Sequence, residues 1–194
     1  MKFDGLLFKR MSFFCFFLNF NQENNLKNNI MNDAHLHMVV NHFPIIGIIL
    51  GFGILVTGIF LKNNSVKNTA YCLFIVGAIF AAVSMATGEG AEEIAENLPS
   101  VTDQIIEKHE ELAEKLAIVL YALGVVSIIG LFLNYKNHSK AIFVSYLGVL
   151  VASAGIFLGK QTGTSGGEIR HTEIRTNAPQ VNGTMENENE EDDH

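Results

Sequence analysis

The sequence predicts an all-α fold, an up-down four-helix bundle of transmembrane helices with an extended third helix. Three observations predict it. Four apolar stretches, 43–61, 69–87, 116–135 and 141–159, are each about 19–20 residues long, the length needed to cross a ~30 Å hydrocarbon core. Lipid offers no water to satisfy backbone N–H and C=O groups, so apolar spans without an alternating pattern must be helical. The connections at 62–68 and 136–140 are short, which forces the helices they join to run antiparallel.

Residues 1–34 precede the organised chain. Lys9 and Arg10 followed by the apolar run 11–20 resemble the charged and apolar regions of a secretory signal, but no small-residue cleavage site follows. Met31 stands immediately before the first histidines. We expect translation from Met31 to yield a complete, membrane-inserted protein, an amphipathic leader being the alternative.

Pro44 suits the first turn of the first span, where a missing N–H costs nothing, and this places His42 at or just before the helix start. His37 and His42 are five residues apart, so on one regular helix they would point ~140° apart. Small residues recur at Gly47/Gly51, Gly77 and Gly155/Gly159, a spacing that lets helices approach closely; packing is the first reading of them.

Charge sets an orientation. The connection after the first span holds Lys62 and Lys67, and the one after the third holds Lys136 and Lys140, with no acid in either. Segment 89–111 instead carries eight acids against the single base Lys108. The positive-inside rule puts the lysine connections in the cytoplasm, hence both mature ends and the acidic segment outside. On that topology His35, His37, His42, His109 and His171 all fall on the outer side near span ends, with only His138 inside. His194 belongs to the tail.

The third helix should begin well before its span. Ser100 and Asp103 make a capping signal after Pro99, and Ile105, Ile106, His109, Leu112, Ala113, Leu116 and Leu120 then recur at helical spacing. His109 therefore sits on the apolar face, turned toward the bundle. Such a histidine is more often a satisfied core residue than a ligand; four others at the same end argue for a site. Residues 35–171 form the membrane domain, and 172–194 read as a solvated, disordered acidic tail.

Several functions are excluded or disfavoured. The net charge of -7, with no basic stripe, leaves nothing to neutralise phosphates, so nucleic acid is not a partner. Neither Cys15 nor Cys72 lies in a C-x-x-C-H or paired-cysteine motif. No nucleophile–base pair, P-loop or dinucleotide fingerprint points to an enzyme. Run 163–167 is glycine-rich but lacks the following Lys-Ser/Thr, and reads as a flexible exit from the last span. The spans also lack the mid-depth ionisable residues that mark transport pathways.

At His37-Met-Val-Val-Asn-His42-Phe43-Pro44 the chain resembles a four-span bacterial membrane family catalogued as domain of unknown function 2231, whose members open with His-Pro-x-x-x-His-Phe-Pro. The resemblance continues at Thr87-Gly88, at His109 and at Gly166-Gly167-Glu168-Ile169-Arg170-His171, covering about residues 35–171. Met38 replaces the usual proline, and the segment after His171 lacks the family's glycine-rich ending. The resemblance implies a bacterial inner (cytoplasmic) membrane protein, for which the lysine asymmetry makes both mature ends periplasmic. It also implies an association with redox modules, since the domain occurs fused to cytochrome c-like or Rieske-type units.

These readings give one expected site. Imidazole suits haem iron and transition metals, and a four-helix bundle can hold such a group. His42 and His109 are the expected ligand pair for haem b or a transition metal, with His37 and His171 as alternates. Glu89 or Glu168 would orient a ligand through its second ring nitrogen. The protein would then be an electron-transfer accessory meeting redox proteins on the outer side of the bilayer. A non-catalytic membrane anchor or subunit is the alternative.

Overall fold

The computed structural model describes residues 33–98, 101–171 and 174–175. The leader up to Asn32, the cap residue Ser100 and the acidic run 186–193 lie outside the described residues. The described chain is helical: α1 (Asp33–Val40), α2 (His42–Phe60), α3 (Asn64–Ala86), α4 (Gly88–Ala95), α5 (Asp103–Tyr135) and α6 (Ala141–Arg170). Four helical runs, Asp33–Phe60 and the whole of α3, α5 and α6, are long and apolar enough to cross a membrane. The protein is an all-α four-helix bundle of multi-pass membrane type.

α1 and α2 are nearly one helix. Asn41 between them keeps right-handed helical angles, and its N–H bonds His37 O at 3.0 Å. The expected boundary at residue 34 thus falls inside helix: Asp33 already packs its Cβ against Gly90 of α4. α2 packs on α3, α3 on α5, α5 on α6 and α6 back on α2, closing a ring in chain order. α1 and α4 pack on each other outside that ring, at the end where α3 finishes.

The two lysine turns end their helices by the same device. Lys62 and Asn137 adopt left-handed backbone angles (φ 50 and φ 49), and the next residue's N–H reaches back to Gly58 O (3.0 Å) and Leu133 O (2.9 Å). This is the six-to-one closure of a Schellman motif, which satisfies carbonyls that a helix end leaves open. Asn63 then caps α3, its side chain accepting from the N–H groups of Ser65 and Val66. His138 accepts from Lys140 N–H through Nδ1, so this histidine closes a turn.

The bundle axis is filled by Ile48, Leu55, Tyr71, Phe74, Leu120, Leu123 and Ala152. Glycines seat the large members: a Cβ on Gly51 would lie 2.8 Å or less from two Phe74 ring carbons, and one on Gly130 2.5 Å from Tyr71 Cζ. The Tyr71 hydroxyl meets Ser145 Oγ at 2.9 Å, which keeps a buried phenol satisfied.

Two elements differ from expectation. α5 starts at Asp103 with Thr102 as its N-cap residue, without a side-chain cap bond, rather than from a cap at Ser100. The glycine-rich run 163–167 is helical, as α6 continues to Arg170. The reason is tertiary: Ser165 is buried, and Gly166 and Glu168 meet the outward extension of α5, so packing offsets the glycines' low helix propensity.

Candidate functional site

The end of the bundle away from the two lysine turns, named the outer end after the orientation that the lysine asymmetry predicts, brings together α1, the C-terminus of α3, the first turns of α5 and the last turns of α6. The first, third and fourth spans continue here past their apolar stretches, through α1, the start of α5 and the end of α6, whereas α3 ends at Ala86.

His37, on α1, is half-buried. Its Nδ1 lies 3.0 Å from Ser84 O and 3.4 Å from Thr87 Oγ1. A carbonyl only accepts, so Nδ1 carries the proton and donates. The Thr87 hydroxyl donates to carbonyls of its own helix, Val83 O at 3.0 Å or Ser84 O at 3.1 Å, which leaves its oxygen as a second acceptor near the ring. Burial lowers the His37 pKa below the usual 6.5, partly opposed by the bond to Ser84.

His109, on α5, is also half-buried, as its place on the apolar face predicts. Its Nδ1 lies 3.0 Å from Ser165 Oγ on α6. Burial is the main cause holding its pKa below 6.5; the charge of His37 lowers it further, against a raising bond to the Thr162 backbone. The two imidazoles are therefore within electrostatic reach of each other. Among the described residues, neither Nε2 makes a hydrogen bond.

The other expected residues take different places. His42 is exposed and its Nδ1 contacts Met38 O of its own helical run at 3.2 Å. The five-residue spacing has the expected consequence: on a nearly continuous helix, His37 is half-buried and His42 exposed. His171 is exposed and ends α6, its N–H bonding Gly167 O. Glu168 accepts from Lys108 Nζ at 2.9 Å. Glu89 is exposed in the first turn of α4. The oxygen atoms that meet the two half-buried rings belong to Ser84, Thr87 and Ser165. Sequence reasoning named Thr87 only as part of the resemblance and gave neither Ser84 nor Ser165 a role at the site, although Thr162 and Ser165 continue the buried small-residue face Ala152–Gly155–Gly159.

An acidic cleft of about 150 Å³ lies between α4 and α5, lined by Glu92, Glu96, Asp103, Ile106, Glu107 and Glu110. A hydrogen bond between the Glu92 and Glu110 side chains, then burial and mutual repulsion, raises the Glu92 pKa above 4.5. Both lysines of this region are paired, Lys108 with Glu168 and Lys115 with Glu111, so the cleft faces no free ammonium from them.

Among the described residues, no three His, Cys, Asp or Glu side chains come together as a metal-binding group. Compared with protein-family models, curated proteins and solved structures, the chain matches none. The fold and site define a class, a helical multi-pass membrane bundle with two half-buried histidines at one end.

Proposed function

We propose that the protein is an electron-transfer accessory of a bacterial inner membrane, holding haem b or a transition-metal ion at its outer end. The ligand pair is His37 with His109, in place of the His42–His109 pair that spacing favours. One observation carries this reading: two half-buried imidazoles, from opposite parts of the chain, are each tied down through Nδ1, and neither Nε2 is hydrogen-bonded. A second-atom hydrogen bond of this kind is how ligating histidines are oriented. The donor set suits the group, since neutral imidazole ligates haem iron, Cu and Zn. His42 and His171 lie at the edge of this end and would serve access or partner contact. The bound group would supply a one-electron centre; the protein's residues would hold it and exclude water. The His-Phe-Pro and Gly-Gly-Glu elements support the likeness to the four-span family and its redox associations.

The lysine turns support a topology with both mature ends outside. Cysteines introduced at positions 64 and 137, with Cys15 and Cys72 replaced, should not be labelled from outside intact cells. Efficient labelling of both reverses the orientation.

A second reading, a membrane anchor whose histidines only fasten helices, is favoured by the absence of a three-ligand group among the described residues. An absorption spectrum and elemental analysis of the detergent-purified full chain separate the two. A reduced-minus-oxidised b-type signal, or near-stoichiometric Cu, that disappears in His37→Ala and in His109→Ala supports the redox reading, whereas Zn at the same residues supports a metal site without electron transfer. Purified protein with neither signal leaves the anchor.

A further inference from the structure

The run Ser165-Gly166-Gly167-Glu168 meets Lys108 and His109 residue by residue. Ser165 is 1% exposed, and its Oγ lies 3.0 Å from His109 Nδ1 and 3.0 Å from Thr162 O. A Cβ on Gly166 would sit 3.0 Å from His109 Cε1 and 3.4 Å from Nδ1, so a side chain there would crowd the ring. Glu168, one turn further, fixes the neighbouring Lys108 at 2.9 Å. Two consecutive residues of α5 are thus held by one turn of α6.

The proton count at Ser165 decides what this seat does. A serine has one O–H, and the Thr162 carbonyl can only accept, so the hydroxyl proton goes to Thr162 O. Ser165 Oγ is then left as an acceptor, and the hydrogen between it and His109 belongs to Nδ1. The neutral ring consequently has a bare lone pair on Nε2. The opposite assignment, Ser165 donating to a bare Nδ1, would abandon the Thr162 contact; the Thr162 carbonyl, itself a backbone partner of His109, only accepts and so also favours a ring N–H on this side.

We infer that Ser165, with Gly166 making room for the ring, is a positioning residue that holds His109 as its Nδ1–H tautomer and presents Nε2 as the ligating atom. The ligating role rests on the proposed His37–His109 site; the tautomer does not. Ser84 O imposes the same tautomer on His37 through the backbone, which no side-chain substitution removes. Only the His109 half is open to a direct test.

The test uses the full chain in detergent, stripped of metal and labelled with ¹⁵N-histidine, with His109→Gln identifying the His109 signals. At neutral to mildly alkaline pH, the wild-type ring should show a protonated Nδ1 and a bare Nε2. Ser165→Ala should weaken the preference for the Nδ1–H form, the Thr162 carbonyl remaining as the other acceptor, and Ser165→Thr should restore the wild-type pattern. A wild-type His109 protonated at Nε2, or an unchanged tautomer in folded Ser165→Ala, overturns the inference. If Ser165→Ala does not fold, the wild-type spectrum alone decides. Titration with Co²⁺ addresses the ligating role separately: Ser165→Ala should bind about 10–100-fold more weakly than wild type. A pinned tautomer in a protein that binds neither Co²⁺ nor haem refutes the cofactor reading and leaves the positioning role established. Tight binding without a pinned tautomer does the reverse.

Discussion

In the middle of the bundle the Tyr71 ring lies on Gly130 and the Phe74 ring on Gly51, while at the outer end His37 and His109 rest on Ser84 and Ser165. Both regions set a ring against a neighbouring helix, but they do so with opposite chemistry. Helices in lipid gain little from apolar burial alone, because the tails are as apolar as leucine, so close glycine contacts and dispersion hold the middle together. At the histidine end, hydrogen bonds with a defined direction replace shape as the means of fixing a ring. The middle is therefore intolerant of added volume, and the outer end of added charge.

The largest expected effect is in the middle. Gly130→Ala would place Cβ within 2.6 Å of two Tyr71 ring carbons, and Tyr71 is fully buried with no room to retreat. It should lower stability by about 2–3 kcal/mol, the upper part of the overpacking range, read from unfolding in detergent. Gly53→Ala is the control: no atom lies within 4 Å of its Cβ, so the better helix former should be neutral or stabilising. Equal losses from both would show that the glycine seats do not hold the bundle.

Acidification should act next, and on the outer end. His37 and His109 both have pKa values lowered from 6.5 by burial. An unfolded chain therefore takes up protons first as the pH falls through about 6.5, and the folded state loses stability from there toward the lowered values. Metal-free protein should melt progressively lower as the pH drops from 7.5 to 6, and His109→Gln should flatten that slope. The raised pKa of Glu92 works in the other direction, adding stability as the pH falls toward and through its raised value above 4.5. A slope unaffected by His109→Gln would remove the contrast between the two regions.

Tyr71→Phe asks whether the middle uses hydrogen bonding at all. It removes the bond to Ser145, whose hydroxyl still reaches Ala141 O, so the loss should be about 1 kcal/mol or less. Substitutions of surface ion pairs should matter least. Glu168→Gln weakens a partly exposed pair and should cost under about 1 kcal/mol, less at high salt. Lys115→Ala breaks an exposed i,i+4 pair and should leave the melting transition unmoved.

How much was legible beforehand differs by region. The four spans follow from length and apolarity, and the helical inward face of α5 from the spacing Ile106–His109–Leu116–Leu120. The five-residue offset of His37 and His42 also carried its consequence, one ring inward and one outward. Which of the two is inward was not readable, because that depends on helix α1 running on into α2 and on where the pair α1–α4 packs. Ser165 was missed for a related reason. A serine among glycines reads as loop by propensity, and only the neighbouring helix shows that its turn is held from outside.

The number of spans, the two lysine turns and the extension of the third helix were readable from the chain, since each is set by local patterns of apolarity, charge and spacing along one segment. Packing between helices settled that Tyr71 would rest on Gly130, that the 163–167 run would be helix, and that His37 rather than His42 would be the half-buried ring at the end it shares with His109. These outcomes bring together residues tens of positions apart, such as His37 with Ser84 and His109 with Ser165. Partner choice depends on how four rigid helices rotate about their own axes, a variable that no single helix's sequence contains.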